Sequence, residues 1–173
     1  VRSTSCLHAR MTVVDAAIFI YCTKGQGWCE IEGGLHEIGP GDLLVIPPRT
    51  PHAYGAKDGQ PWTVSWVQAQ GTNLDYFLAE LGTTAKSPVL SLGEDPRLLV
   101  LFNEALETLA GGCSTARLLC ASQTLAHLVS VAISYRSENN RNEPDVWRKI
   151  EQSIAYMREH FDKPLQVAKL AAM

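Results

Sequence analysis

One segment of the chain, residues 40–54, restricts the fold more than any other. It reads Pro-Gly-Asp-Leu-Leu-Val-Ile-Pro-Pro-Arg-Thr-Pro-His-Ala-Tyr. Gly41 can adopt the positive φ that ends a tight turn, and the apolar run after it suits a short buried strand. Pro47 and the proline after it cannot donate to a central ladder, so the chain must turn a corner there. The segment therefore predicts a strand, a stiff corner and a second strand that carries His52 and Tyr54.

The other residues before position 73 also read as short strands and turns. Residues 19–22 are β-rich, and residues 28–32 alternate apolar with polar before the pair Gly33-Gly34, which is a strong hairpin signal. In residues 62–68 the alternate side chains, two of them tryptophans, share one face. Short antiparallel strands at this spacing predict a β-barrel or jelly roll over about residues 1–72.

Residues 73–136 change to a helical period. A short helix is predicted over 74–81, and Asp95 followed by proline predicts the start of a long helix. A second long helix begins near Ser114 and carries two apolar stripes, so we expect two packing partners. One stripe can pack on the barrel; the other either joins the core or meets a second subunit. The first stripe contains Leu118, Ala121, Leu125, Leu128, Ala132 and Tyr135, and the second contains Leu119, Ala126 and Ile133.

A polar stretch, residues 137–145, separates these helices from the end of the chain. It contains no apolar residue and cannot bury surface, so it is interpreted as an interdomain linker. Residues 146–173 return to a helical pattern that is interrupted at Pro164. The sequence thus predicts one domain over 1–136, a linker over 137–145 and the front of a further domain over 146–173.

Two motifs resemble known families. Gly41, Pro47 and His52 have the spacing of the second conserved stretch of the cupin superfamily. Residues 150–171 resemble the opening of the DNA-binding domain of the AraC family of transcription regulators, with Val167 in place of a leucine. The resemblance covers essentially the whole chain.

The resemblance implies an α+β chain with three parts in order. These are a cupin-like β-barrel (jelly roll), two long helices, and the first helices of a truncated AraC-type helix-turn-helix domain whose DNA-reading helices are cut off after Met173. It further implies a cytoplasmic homodimer that senses a small-molecule effector to control transcription. DNA would be contacted only through the missing remainder of the last domain. No catalytic residue, cofactor or membrane contact is expected.

Sugar-responsive members of the AraC family hold their ligand inside the barrel, and the resemblance assigns the ligand-binding roles to Lys24, His52, Tyr54 and Trp66. The chemistry is reasonable in itself, because a pyranose offers hydroxyls to Lys and Tyr and an apolar face to an indole. A carbohydrate is therefore one candidate effector. For His52 an equally open interpretation is a side chain that only donates to a barrel carbonyl.

Composition and cysteine usage exclude several other classes. The net charge of −3 gives no basic footprint for nucleic acid over the whole chain. Five cysteines without a Cys-x-x-Cys pair indicate reduced thiols. The first ten residues lack the apolar block of a signal peptide, and no apolar run is expected to approach transmembrane length.

Metal binding is not predicted either. Metal-binding cupins use a His-x-His pair, but the aligned stretch, residues 25–32, contains no histidine, and His36 by itself is too few for a site. Two alternatives to the sensor stay open. One is a stand-alone cupin enzyme, an isomerase or a dioxygenase; the other is an oligomerisation module with an empty barrel.

Overall fold

The computed structural model describes residues 12–139, 153–154, 156–158 and 160–161. The chain forms two compact units, Val1–Arg136 and Ser137–Met173. Apart from three residues at its start, the expected linker over 137–145 lies outside the described residues. The expected start of a helix-turn-helix domain over 146–173 lies mostly outside them too.

Within its described residues, the first unit contains seven strands, and three helices lie between and after them. The strands are β1 (Ala17–Lys24), β2 (Gly27–Ile31), β3 (Gly34–Ile38), β4 (Asp42–Ile46), β5 (His52–Ala56), β6 (Thr63–Ala69) and β7 (Val89–Ser91), and the helices are α1 (Leu74–Leu81), α2 (Pro96–Ala110) and α3 (Thr115–Asn139). This is the predicted α+β, cupin-like fold. The sequence reading missed only β7 among these elements, and α3 runs three residues past its expected end.

The strands form two antiparallel sheets. One has the order β6-β1-β4-β7 and the other β3-β2-β5. Because β4 belongs to the first sheet and β5 to the second, the predicted proline corner carries the chain from one sheet to the other. The turn before β4 needs a glycine: Gly41 has φ +84°, and a Cβ there would lie 2.6 Å from the carbonyl carbon of Gly93.

The hairpin between β2 and β3 turns one residue earlier than the glycine pair suggested. Glu32 and Gly33 occupy the turn with φ of 48° and 75°, and Gly34 already belongs to β3. Two positive φ values in a row match the twist of the flanking strands in a two-residue hairpin. The hairpin was predicted correctly and its register was not.

Each face of the four-stranded sheet has its own core, which is why β1 is buried almost throughout. The outer face packs against the helices through Ala17, Phe19, Tyr21, Leu43, Val45, Leu98, Leu101, Phe102, Leu128, Val129 and Ala132. The inner face meets the three-stranded sheet through Ile18, Ile20, Cys22, Cys29, Ile31, Ile38, Leu44, Ile46, Trp62 and Val64. Tyr21 and Trp62 are thus core residues, one on each face of the sheet.

The two long helices begin and pack largely as predicted. The Asp95 carboxylate caps α2 by accepting from the backbone N–H of Arg97 at 2.7 Å. In α3 the stripe from Ala121 to Ala132 is buried, but the first two turns are exposed. Leu118 and Leu119 there are 50% and 61% exposed. Leu118, the first residue of the predicted first stripe, is therefore not part of the core.

The expectation that no apolar run approaches transmembrane length is wrong by one criterion. Residues Thr115–Arg136 are long and apolar enough to cross a membrane, judged by length and composition only. Leu128 and Ala132 of this helix are nevertheless fully buried in the core on the outer face of the sheet. Core helices of folded domains pass the same test, so the finding is a weak indication of membrane contact.

The last described turn of the first unit is tied back by two side chains. The Tyr135 hydroxyl hydrogen-bonds the Asp95 carboxylate at the start of α2. Nη1 of Arg136 donates to the carbonyl oxygen of Glu80 in α1 at 2.9 Å. The guanidinium lies against Gly82, where a Cβ would collide with it. Helix α3 is therefore fixed to two separate elements where the unit ends.

Candidate functional site

The inner face of the three-stranded sheet carries the polar side chains of the barrel. Cys29 on β2 pairs with His36 on β3 and with Tyr54 on β5, so these three lie in one row across the sheet. Ile31 pairs with His52 in the next row. The register therefore gathers two histidines, a thiol and a phenol on one wall of the barrel.

His52 is held by the backbone beside it. The residue is 1% exposed, and its Nδ1 lies 2.7 Å from the carbonyl oxygen of Thr50. Because a carbonyl only accepts, Nδ1 must carry the proton. Nε2 lies 3.3 Å from Oγ1 of Thr12, and the ring is stacked on Tyr54 with centroids 6.0 Å apart. The alternative role, a donor to a barrel carbonyl, thus matches the geometry, and the imidazole also supports the Tyr54 ring.

Tyr54 offers a free phenol to the barrel interior. The side chain is half-buried, and its ring lies 6.3 Å from that of Trp62. Burial raises the pKa of the Tyr54 hydroxyl above its usual 10.0, and the neighbouring Cys29 raises it further to a smaller extent. Within residues 12–139 this hydroxyl makes no hydrogen bond, so it is a neutral group that can donate to or accept from a ligand.

The opposite wall is apolar and contains Trp66. This residue sits in the middle of β6, where it pairs with Ile20, and it packs half-buried against the inner core. Its indole N–H has no hydrogen-bond partner among the residues that the structure describes. The inner face thus presents a polar wall with a free hydroxyl and an apolar wall with a free indole N–H, which suits a small organic molecule with two unlike faces.

Lys24 lies away from this group. It is exposed at the end of β1, where it lines a separate open cavity of about 280 Å³ beside the start of α2. β5 begins at His52 and ends next to Lys57, whose N–H donates to the carbonyl of Gln26, two residues after Lys24. Four strand residues span roughly 13 Å. The structure therefore brings His52, Tyr54 and Trp66 to the inner face and leaves Lys24 at the other end of the barrel.

His36 is the residue that sequence reasoning undervalued. It was weighed only as a metal ligand, yet it is half-buried in the row of Cys29 and Tyr54. The available signal was the strand period, because Ile38 is an inward residue and His36 lies two positions before it.

The described residues do not fit the metal site of metal-binding cupins. Among them no group of three or more His, Cys, Asp or Glu could hold an ion. The two inner thiols are poor ligands, because metals bind the thiolate and burial raises the pKa of Cys22 to about 11 and that of Cys29 to about 12.

Comparison with known families agrees with this architecture. Residues 5–129 match the AraC-like ligand binding domain. The chain belongs to the AraC-like ligand-binding family. Among curated proteins, the MmsAB operon regulatory protein of Pseudomonas aeruginosa is 30% identical over 162 residues. That alignment covers 91% of this AraC-like chain and 51% of the regulator, so the chain spans about half the length of this relative.

The solved structures that match are much more distant in sequence from this AraC-like domain. KdgF from Halomonas sp. is 18% identical, with a TM-score of 0.34 over 42% of this chain and 67% of that one. A variant of Bacillus subtilis oxalate decarboxylase is 16% identical, with a TM-score of 0.31 over 49% of this chain and 30% of that one. No activity is carried over from likenesses of this size.

Proposed function

We propose that this chain is the effector-sensing part of an AraC-family transcription regulator, and that a small organic molecule binds on the inner face of the barrel. The family match over residues 5–129 supports the sensing role. The relative named as an operon regulatory protein supports the link to transcription. DNA contact belongs, in this proposal, to the part of the protein that follows the first unit.

The observation that carries the proposal is the pair of free polar groups on facing walls. The Tyr54 hydroxyl and the Trp66 indole N–H have no hydrogen-bond partner within residues 12–139, although both rings pack against the inner core. Both side chains are half-buried, and neither polar atom is fully buried without a partner, so a ligand that enters the barrel can reach both groups. A sugar or polyol fits, because it combines hydroxyls with an apolar face. His52 supports Tyr54 in this scheme, and Lys24 acts at the far end of the barrel or not at all.

A thermal-shift screen of sugars, sugar acids and polyols tests the proposal. A ligand present at 100 times its Kd stabilises the folded state by about 2.7 kcal/mol, which raises Tm by roughly 10 °C. We expect the shift to disappear in Trp66→Ala and to persist in the matched control Trp28→Ala, whose indole lies on the outer face of β2. Equal loss in both variants, or no shift with any compound, would contradict an inner-face site.

The enzyme alternative needs a metal or an acid/base pair inside the barrel. The donor set of the described residues does not fit a metal. Elemental analysis of the purified protein for iron, manganese and zinc separates the two functions, since a stoichiometric metal would favour the enzyme.

Dimerisation is a further part of the proposal, and the start of α3 supports it. Leu118 and Leu119 are exposed side by side there. Exposed surfaces with several large apolar side chains are typical of interfaces. Sedimentation of Leu119→Glu should show monomer, whereas Leu35→Glu, at a leucine that is 69% exposed on β3, should leave the dimer intact. A Leu119→Glu dimer would exclude this surface as the interface.

A cytoplasmic location completes the proposal. The described cysteines Cys22, Cys29, Cys113 and Cys120 are all free thiols, two buried and two exposed. Exposed free thiols persist in reducing compartments. Fractionation of cells that express the protein should find it in the soluble fraction; recovery with the membranes would instead support a membrane role for α3.

A further inference from the structure

A second cavity lies on the other side of the four-stranded sheet. It is open to solvent on one side and has a volume of about 220 Å³ between the outer face of the sheet, the first turn of α1 and the middle of α3. Phe19 from β1 and Val129 from α3 are buried at 1% and 3% exposure and form its floor. Phe77 from α1 adds a half-buried aromatic wall. The cavity is therefore bounded by three elements of one compact unit.

The mouth of this cavity is polar but uncharged. None of the residues that line it is Asp, Glu, Lys, Arg or His. Asn73 occupies the N-cap position of α1, yet its side chain makes no capping hydrogen bond. The Gln123 side chain on α3 has no hydrogen-bond partner in the described part of the chain. Two exposed carboxamides without a hydrogen-bond partner among the described residues thus line the cavity above its apolar floor.

These features define the chemistry of an occupant. An ion would lose hydration and meet no opposite charge, so a charged ligand is disfavoured. An apolar cavity of about 150 Å³ can bind benzene. A cavity of 220 Å³ has room for a ring of that size together with a polar group, and the two carboxamides supply a donor and an acceptor for it.

We propose that this cavity, named here the sheet–helix cavity, is a second ligand site that binds a small uncharged molecule with an aromatic or short apolar part and an amide or carbonyl group. It is separated from the inner-face site by the sheet itself, because Phe19 and Ile20 point to opposite sides of β1. Its occupant contacts α3 directly through Ala126 and Val129.

The probe is 4-fluorobenzamide, observed by fluorine NMR, with 4-fluorobenzoate as the charged counterpart. We expect line broadening of the amide and none of the carboxylate. Ala126→Leu fills the sheet–helix cavity and should abolish the broadening, whereas Ala116→Leu, an exposed position on the same helix, should preserve it. Gln123→Ala should weaken binding roughly two- to tenfold, the effect of one lost hydrogen bond.

Several outcomes would overturn the proposal. These are equal broadening of amide and carboxylate, broadening unchanged in Ala126→Leu, or no broadening of 4-fluorobenzamide at all. A change of sedimentation in Ala126→Leu would assign the cavity to contact with a second copy instead. Circular dichroism checks the fold of each variant, and the exposed Gln123→Ala keeps the test decisive if Ala126→Leu does not fold. Tyr54→Phe must leave this binding unchanged, which separates the site from the proposed inner-face sensor.

Discussion

Tyr21 and Tyr54 of the barrel allow a matched test of which tyrosine hydroxyl stabilises the fold and which is available to a ligand. The hydroxyl of Tyr21 donates to the carbonyl oxygen of Gly93 at 2.9 Å and accepts from the N–H of Asp95 at 3.2 Å. It thereby holds the loop before α2 against β1. The hydroxyl of Tyr54 makes no hydrogen bond with residues 12–139. Phenylalanine at either position removes one oxygen and preserves the ring.

The expected losses of stability differ accordingly. Each hydrogen bond contributes a net of about 1 kcal/mol, and a buried partner that is left unpaired costs more. Gly93 is exposed, so water can replace the phenol at its carbonyl. We therefore expect Tyr21→Phe to lower the free energy of unfolding by about 2 kcal/mol. Tyr54→Phe should change it by less than about 0.5 kcal/mol, because no hydrogen bond is lost.

Urea unfolding followed by tryptophan fluorescence measures the difference. With a urea m-value of about 2 kcal/mol/M, a loss of 2 kcal/mol lowers the midpoint by about 1 M. Tyr21→Phe should retain the thermal shift produced by any inner-face ligand, and Tyr54→Phe should lose it. Equal midpoints for the two variants, or a ligand response that survives in Tyr54→Phe, would refute the division of roles.

Three further predictions concern the backbone, the thiols and the end of α3. Gly41→Ala should lower the free energy of unfolding by about 2 kcal/mol or more, because the alanine would have a positive φ and its Cβ would collide with the backbone of Gly93. Gly59→Ala, with φ +79° and open space around it, should cost less in the same urea titration. Because the pKa of Cys22 is raised to about 11 and that of Cys29 to about 12, the unfolded chain loses protons first, and stability measured by urea should fall as pH rises from about 9 towards 12. A flat profile would show that these thiols are not buried. Tyr135→Phe should lower Tm measured by circular dichroism, as it frees α3 from the start of α2; an unchanged Tm would contradict that tie.

Much of the fold was predictable because local chemistry and tertiary structure agree in it. The proline corner after β4, the glycine before it and the Asp95 cap each dictate a local conformation that the fold then uses. β7 was missed because an edge strand of three residues is too short to show a period. The predicted position of the hairpin turn was wrong by one residue, because Gly33 and Gly34 can both adopt a positive φ and only the pairing of the strands decides which of them lies in the turn.

The candidate site was less predictable, because it depends on register between distant strands. The sequence named His52, Tyr54 and Trp66, and strand period predicts their common inward direction. It could not predict that the imidazole of His52 is hydrogen-bonded to a backbone carbonyl, or that the hydroxyl of Tyr54 has no hydrogen-bond partner within residues 12–139. Nor could it tell that Lys24 ends β1 at the opposite end of the barrel, because that follows from the pairing of β1 and β5 with their neighbours.

The anchoring of the last turn of α3 has a mechanical consequence. Tyr135 and Arg136 fasten the helix to the start of α2 and to the end of α1, immediately before the first unit ends at residue 136. A helix clamped at two points cannot rotate about its own axis unless both bonds break or both neighbours travel with it. A displacement of α1 or α2 would therefore move the last turn of α3 with it, at the point where the first unit ends.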